Sequence, residues 1–215
     1  MITILFLILM IMTSPEKEPF EGILTYKVSI EGNSEDMLRE VMPHTYSLYF
    51  GKENFRFDLD GGMMPEFMGD IITFNKVGKS YILKEETNTA YLIEDEKDSL
   101  SNLAYEIKPL KEKLVLKDLA CKGYELVFSE PGDGLVKQRL WLTEDLNLSM
   151  PVGNNHGIGA FFKPDLEGFA LLIENYFESD IGNYKITIAI DKIERTYLPK
   201  SLFSIPDRFK IKVLE

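Results

Sequence analysis

The stretch Phe-Glu-Gly-Ile-Leu-Thr-Tyr-Lys-Val-Ser-Ile, residues 20–30, decides the fold class because apolar and polar side chains alternate along it. Successive side chains of a β-strand point to opposite faces, so this alternation is typical of a strand with one buried face. Ile23 is the apolar residue that departs from the pattern. The buried face is predicted to carry Phe20, Gly22, Leu24, Tyr26, Val28 and Ile30.

The same alternation continues along the chain, and turn signals break it at intervals of roughly ten residues, which is typical of antiparallel β-structure. Residues 46–50 and 55–59 form a predicted hairpin around a tight turn at residues 51–54. Further strands are predicted at residues 70–74, 81–84, 90–93, 103–107, 113–116, 122–128, 135–143, 169–177 and 184–195, and residues 208–213 are predicted to pair with an edge. The lack of crossover helices excludes a doubly wound fold and leaves a sandwich, a barrel or one strongly curved sheet.

Helix-forming patterns are few and short. Ser34 is placed to cap a helix over residues 35–41, which ends before Pro43 because proline cannot continue a helix. Residues 158–162 predict a single helical turn. The apolar residues 63–68 contain a proline and are interpreted as a loop or one short helical turn lying over the sheet. The sequence therefore predicts a mostly-β protein with a few short helices.

Length, charge and cysteine content limit the class of protein. A chain of 215 residues fits one domain and can bury a sizeable core without disulfide bonds or metals. The net charge of −11 argues against a nucleic-acid partner, because phosphate backbones are bound by clustered lysine and arginine. The single cysteine, Cys121, excludes an internal disulfide bond and is predicted to be an inert thiol in the core.

The first residues predict export. Residues 2–12 are an unbroken apolar run, shorter than the ~20 residues needed to span a bilayer but typical of a secretory signal peptide. We therefore predict a signal peptide at residues 1–14, a single β domain at residues 15–215 and no transmembrane span in the mature chain. The predicted location is the periplasm or cell envelope of a bacterium. The alternative is that the apolar run forms a buried first strand.

Several strand and turn sequences carry a resemblance to a known family. They are residues 20–26, residues 119–126 with 140–146, and residues 168–171 and 193–195 with Leu202-Phe203-Ser204-Ile205-Pro206 and Phe209-Lys210. Together they resemble a family of exported bacterial proteins common in the Bacteroidetes, which is similar in fold to the periplasmic lipoprotein carriers of the LolA type. The resemblance implies an open half-barrel, in which one strongly curved antiparallel sheet holds a few short helices on its concave side.

Motifs that would indicate an enzyme are missing from the sequence. It contains no nucleophile elbow, no phosphate-binding loop and no zinc-protease helix. Its two histidines, His44 and His156, stand beside a proline and a glycine and are predicted to be surface residues. We therefore predict a protein that is not an enzyme and that uses no metal or other cofactor.

Methionine is concentrated in two short segments. The two segments contain Met37, Met42, Met63, Met64 and Met68, with His44 near the first. Because thioether and imidazole groups can hold Cu(I), these residues raise the hypothesis of a copper site. The alternative is that flexible methionine side chains line an adaptable apolar surface for acyl chains. Under the second interpretation the candidate ligand-binding residues are Met63, Met64, Phe67, Met68, Trp141, Phe161 and Phe162. Aromatic residues on one face of a strand equally fit a plain core.

These observations predict a non-enzymatic protein that binds or carries an apolar ligand, a lipid or an acylated molecule, in the bacterial envelope. The first alternative is an interaction module that binds another envelope protein through a sheet edge or an exposed patch. The second alternative is an enzyme of a kind that has no recognisable motif. The feature that separates them is whether the concave face of the sheet is hollow or packed.

Overall fold

A single twelve-stranded sheet contains most of the described chain. The computed structural model describes residues 18–32, 35–93, 104–129, 134–148, 159–163, 165–179 and 182–213, and the predicted signal peptide lies outside them. The strands are β1 (Gly22–Gly32), β2 (Thr45–Phe50), β3 (Asn54–Asp60), β4 (Asp70–Phe74), β5 (Lys79–Lys84), β6 (Thr89–Ile93), β7 (Tyr105–Leu116), β8 (Leu119–Phe128), β9 (Leu135–Thr143), β10 (Phe169–Ser179), β11 (Gly182–Arg195) and β12 (Lys210–Val213). The helices are α1 (Glu35–Val41) and α2 (Met64–Met68), and 3-10 turns occur at Glu85–Thr87 and Lys200–Phe203.

The order of the strands is β12-β6-β5-β4-β3-β2-β1-β11-β10-β9-β8-β7. Neighbouring strands are antiparallel except for β12, which runs parallel to β6. Because β1 pairs with both β2 and β11, it lies in the middle of the sheet and joins two meanders. Among the described strands, the end strands β12 and β7 do not pair with each other. The predicted mostly-β fold with one open sheet and few short helices is therefore confirmed.

Burial along β1 follows the alternation seen in the sequence. Leu24 and Tyr26 are fully buried, whereas Lys27 is exposed. The side chain of Tyr26 stands between Ile190 of β11 and Tyr46 of β2, so apolar residues of three strands meet on one face. Cross-strand contacts of this kind set the register, because a slip of one residue would turn every buried side chain outward.

Strand β7 differs from the sequence interpretation. The sequence predicts two strands, at residues 103–107 and 113–116, but residues 105–116 form one strand along β8. The pairing shifts register between Pro109 and Lys113. The prediction was wrong because proline, which has no N–H to donate to the ladder, marks a bulge inside an edge strand here and not the end of a strand.

The remaining predicted elements are confirmed with one exception. The helix at residues 35–41 is α1, the short apolar segment at 63–68 contains α2, and the closing segment pairs with edge strand β6. The exception is the helical turn predicted at residues 158–162. Within its described part, residues 159–161 form a turn and no helix.

Apolar side chains cover both faces of the sheet. The inner face, as we call it below, carries the larger cluster, which includes Leu48, Phe57 and Phe169. The opposite, outer face carries a smaller cluster of Ile72, Leu83, Ala90 and Phe209. Both faces are therefore partly covered, as expected for a sheet that is packed on one side and crossed by chain on the other.

The chain after β11 runs across the outer face, and we call residues 196–213 the C-terminal strap. The backbone N–H of Thr196 donates to the carbonyl of Glu21, and that of Leu198 donates to the Glu21 carboxylate. Phe203 lies against Gly51, where a Cβ atom would come within 2.8 Å of its ring. Phe209 then joins the outer cluster before β12 pairs with β6. The closing motif of residues 202–206 is thus the middle of this strap.

Candidate functional site

Helices α1 and α2 are joined end to end on the inner face. The backbone N–H of Met63 donates to the carbonyls of Glu40 and Val41, at 2.9 and 3.2 Å. Gly62 has φ of 66°, and a Cβ atom there would lie 2.1 Å from the carbonyl oxygen of Met42. Only glycine permits that conformation and that close approach, so the sequence Gly-Gly before α2 fixes the helices against each other.

The two helices divide their apolar side chains between the core and solvent. Leu38, Met42 and Met64 are half-buried and pack against the inner cluster. Five other large apolar side chains point to solvent, and we call them the Met/Phe surface. They are Met37 (53% exposed), Val41 (40%), Met63 (48%), Phe67 (69%) and Met68 (39%). Two short, adjoining helices thus expose five large apolar side chains.

Backbone contacts hold α2 in this position. The ammonium group of Lys84 on β5 donates to the carbonyls of Glu66 and Phe67, the first at 2.8 Å. The N–H of Gly69 donates to the carbonyl of Pro65 at 2.8 Å and ends the helix. A lysine at the carboxyl end of a helix satisfies carbonyls that have no partner in the helix. These contacts hold the backbone of α2 at Glu66 and Phe67.

The inner face is filled by an aromatic plug centred on Phe161. This side chain, 1% exposed, stands in the connection between β9 and β10. Its ring lies 4.7 Å from that of Tyr26, 6.1 Å from that of Tyr46 and 5.8 Å from that of Phe169, measured between centroids. The N–H of Ala170 donates to the Phe161 carbonyl at 2.9 Å. The face that the sequence could have left hollow is packed at this point.

The plug carries little polarity. The hydroxyl of Tyr26 donates to the carbonyl of Ala170 at 2.9 Å, so this buried phenol has a partner. Burial raises the pKa of Tyr46 to about 12 and raises the pKa of Tyr26 well above its ordinary value. Both phenols are thus neutral at any physiological pH.

Trp141 lies on β9, away from the residues of α2 in the sheet order. It is 5% exposed and packs beside Gly123 and Leu110. The indole nitrogen is buried and has no hydrogen-bond partner among the described residues. A Cβ atom on Gly123 would lie 3.0 Å from this nitrogen, so the glycine makes room for the ring.

The seven predicted ligand residues therefore fall into three places. Met63, Met64, Phe67 and Met68 belong to α2 and its first residue, where all but Met64 are exposed. Phe161 and the half-buried Phe162 lie in the connection between β9 and β10, where Phe161 forms the plug, and Trp141 belongs to the core of β9. The structure brings the first four together, and their role in ligand binding stays a prediction.

The copper hypothesis concerned residues that face different ways. Met37 is exposed and Met42 is half-buried against the inner cluster. The ring nitrogen Nε2 of His44 lies 3.3 Å from the carbonyl oxygen of Arg39. The second histidine, His156, lies outside the described residues.

Sequence reasoning missed an open hollow of about 500 Å³ near the β10–β11 turn. Its lining includes Tyr176, Lys137, Lys185 and Glu31. The Lys137 ammonium lies 4.3 Å above the Tyr176 ring, and Lys185 pairs with Glu31 at 3.2 Å. These charges pair across neighbouring strands, and a sequence gives no signal for such pairing before the register is known. The lining of the hollow thus combines charged groups with aromatic rings.

Comparisons with known proteins bear on the fold. No family model matches the chain, and no curated protein is similar to it. Among solved structures it is similar to a LolA superfamily protein from Nitrosomonas europaea, with 10% identity over 87% of this chain and 91% of that chain and a TM-score of 0.36. A DUF1329 family protein from Desulfovibrio piger has 10% identity over 87% and 91%, with a TM-score of 0.37.

A further similar structure is PNGF-II, with 14% identity over 91% of this chain and a TM-score of 0.49. This chain spans only 31% of the length of PNGF-II. None of the helices in the described residues is long and apolar enough to cross a membrane.

Proposed function

We propose that this protein is a non-enzymatic binder or carrier of an apolar ligand, a lipid or an acylated molecule, in the bacterial cell envelope. The observation that carries the proposal is the Met/Phe surface, where two short helices place five large apolar side chains in solvent. The resemblance of residues 119–126 and 202–206 to exported bacterial proteins supports the location in the envelope.

The chemistry of this surface suits an acyl chain. Each methylene group that leaves water contributes about 0.8 kcal/mol, and the gain has no directional requirement. Methionine side chains have three rotatable bonds and a polarisable sulfur, so Met37, Met63 and Met68 can adapt to a flexible chain. Phe67, the most exposed of the five, offers a flat ring against which such a chain can lie.

The plug sets where the ligand lies in this proposal. Because Phe161 occupies the inner face over β1, β2 and β10, we propose that the ligand lies on the solvent side of α1 and α2. Helix α1 contacts β1 and α2 contacts β3. The sheet is in this view a rigid platform that presents the Met/Phe surface.

A second candidate is a module that binds another envelope protein through the edge strand β12. All four residues of β12 are exposed, including Ile211 (61%) and Val213 (49%). An end strand with exposed apolar residues is a template for the addition of a further strand.

The test is mass spectrometry of solvent extracts from the protein purified gently from a bacterial periplasm. We expect a stoichiometric lipid or acylated molecule that a control protein handled alike does not carry. Replacing Met63 and Phe67 by serine removes two exposed apolar side chains and should abolish the bound molecule without unfolding the protein.

The matched control replaces Val77 and Ile211, which are exposed to a similar degree on other parts of the molecule, by serine. This variant should retain the ligand. A clean extract from folded wild-type protein would contradict the proposal and favour the protein-binding module. Equal retention by both variants would place the ligand elsewhere on the molecule.

A further inference from the structure

The turn end of the β7–β8 hairpin, residues 108–122, carries a charge opposite to that of the whole protein. Residues 108–122 contain five lysines and two acidic residues, a net charge of +3 in a chain of net charge −11. The five are Lys108, Lys111, Lys113, Lys117 and Lys122, and all of them are exposed. The positive charge is thus concentrated in one hairpin at the end of the sheet.

Most of this positive charge is available to a partner. Lys108 pairs with Glu106 at 3.1 Å and Lys122 pairs with Glu144 at 2.5 Å. Among the described residues, Lys111, Lys113 and Lys117 form no salt bridge. The acidic residues of this segment, Glu112 and Asp118, are also exposed, and two further acidic residues of the hairpin, Glu106 and Glu125, pair with basic side chains.

One pair in the hairpin works against stability. Lys113 stands directly opposite Lys122 across the two strands. Like charges in this position repel each other, and Lys122 is offset by its pair with Glu144 whereas Lys113 has no such partner among the described residues. The hairpin thus keeps an unpaired lysine beside a second lysine, which is consistent with a role for the charge outside the fold.

The same face of the hairpin also exposes an aliphatic side chain. Val115, two residues after Lys113, is 71% exposed and stands opposite the exposed Ala120. The alternate residues face the protein: Cys121 is buried, and Leu114 packs against the inner cluster. One face of the hairpin therefore packs against the protein, and the other face exposes lysine and valine side chains.

We propose that the β7–β8 hairpin docks this protein onto an anionic phospholipid surface. Lysine side chains on long flexible stems suit the diffuse negative charge of lipid headgroups, and a short aliphatic side chain among them can enter the headgroup layer. Because the whole molecule is acidic, it approaches an anionic surface with this hairpin first. The docking surface is separate from the Met/Phe surface and extends the proposed function, since it requires no bound ligand.

The test is co-sedimentation of the protein with phosphatidylcholine vesicles that contain or lack phosphatidylglycerol. Wild-type protein should bind only the anionic vesicles and should be released by high salt, because exposed charges are screened within about 3 Å at 1 M. The variant K111E/K113E/K117E should bind at least about tenfold more weakly. It should fold as well as wild type, because the glutamate that replaces Lys113 faces Lys122 as an opposite charge.

The control variant K52E/K79E/K212E changes three exposed lysines elsewhere and alters the net charge equally, so it should bind like wild type. All variants share the same N-terminal sequence, so its apolar residues do not affect the comparison. Equal binding to both vesicle types, or equal binding by the hairpin variant and wild type, would overturn the proposal. Absence of binding to the anionic vesicles would also overturn it and would favour an acidic protein partner. Vesicle binding and ligand extraction are separate measurements, so the failure of one proposal does not affect the test of the other.

Discussion

Arg56 on the outer face binds two carboxylates and the C-terminal strap at once. Its Nε donates to Asp58 at 2.7 Å, its Nη2 donates to Asp70 at 2.8 Å, and its Nη1 donates to the carbonyl of Leu202 at 3.2 Å. One guanidinium group neutralises only one of the two carboxylates. Burial, followed by the negative charge of Asp58, raises the pKa of Asp70 to about 6.

This raised pKa predicts a pH dependence at the residue scale. The folded-state pKa of Asp70 lies above its ordinary value of 3.8, so the native protein holds a proton that the unfolded chain releases. The stabilisation is complete below about pH 4 and is lost as the pH rises through about 6. The free energy of unfolding of wild type, relative to D70N, should therefore fall by about 1–3 kcal/mol between pH 4 and 7 in urea titrations. A relative stability that rises with pH would contradict this account.

The sequence predicted several core residues, but it predicted none of the contacts that Arg56 makes. Leu24 and Tyr26 were predictable as core because alternation in one strand places them on one face. Arg56 and Asp70 belong to different strands, and they meet only because β3 and β4 pair in a particular register. Contacts between strands depend on register, and one sequence does not contain that information in local form.

At the scale of elements, the C-terminal strap stabilises the outer face. Phe209, 8% exposed, packs with Ile72, Leu83 and Ala90, whereas Ile211, two residues later, is 61% exposed. Replacing Phe209 by alanine should lower the free energy of unfolding by about 3 kcal/mol, because a buried ring leaves a cavity. Replacing Ile211 by alanine should change it by less than about 0.5 kcal/mol. Denaturant titration of the two variants checks this, and similar losses would refute the packing described.

The elements themselves were largely predictable, for a physical reason. Each antiparallel strand is bounded by turn residues close in sequence, so β2, β3 and β4 were found from local pattern. The path of the strap over the outer face depends on contacts with distant residues such as Glu21 and Gly51. The bulge of β7 was missed because Pro109 gives the same local signal in a bulge as at the end of a strand.

At the scale of the whole molecule, the apolar inner face of the open sheet needs side chains from outside the sheet to cover it. The sequence predicted the sheet but left open whether this face is hollow, because that depends on where a loop residue lies. Phe161 belongs to the connection between β9 and β10, which has no periodic pattern, and it stacks over β1, β2 and β10. The position of Phe161 therefore decides whether the inner face of the sheet is packed or leaves a cavity for a ligand.

The last prediction concerns this plug. Replacing Phe161 by alanine should lower the free energy of unfolding by about 3–4 kcal/mol and open an apolar cavity between Tyr26, Tyr46 and Phe169. Apolar cavities of this kind bind small apolar molecules, so the variant should gain binding of benzene, measured as an increase in melting temperature with added benzene. Phe162, half-buried beside it, is the matched control and should give no such gain when replaced by alanine. A wild-type protein that benzene already stabilises as strongly would mean that the inner face is hollow, and the acyl chain would then belong beneath the helices instead of on their solvent side.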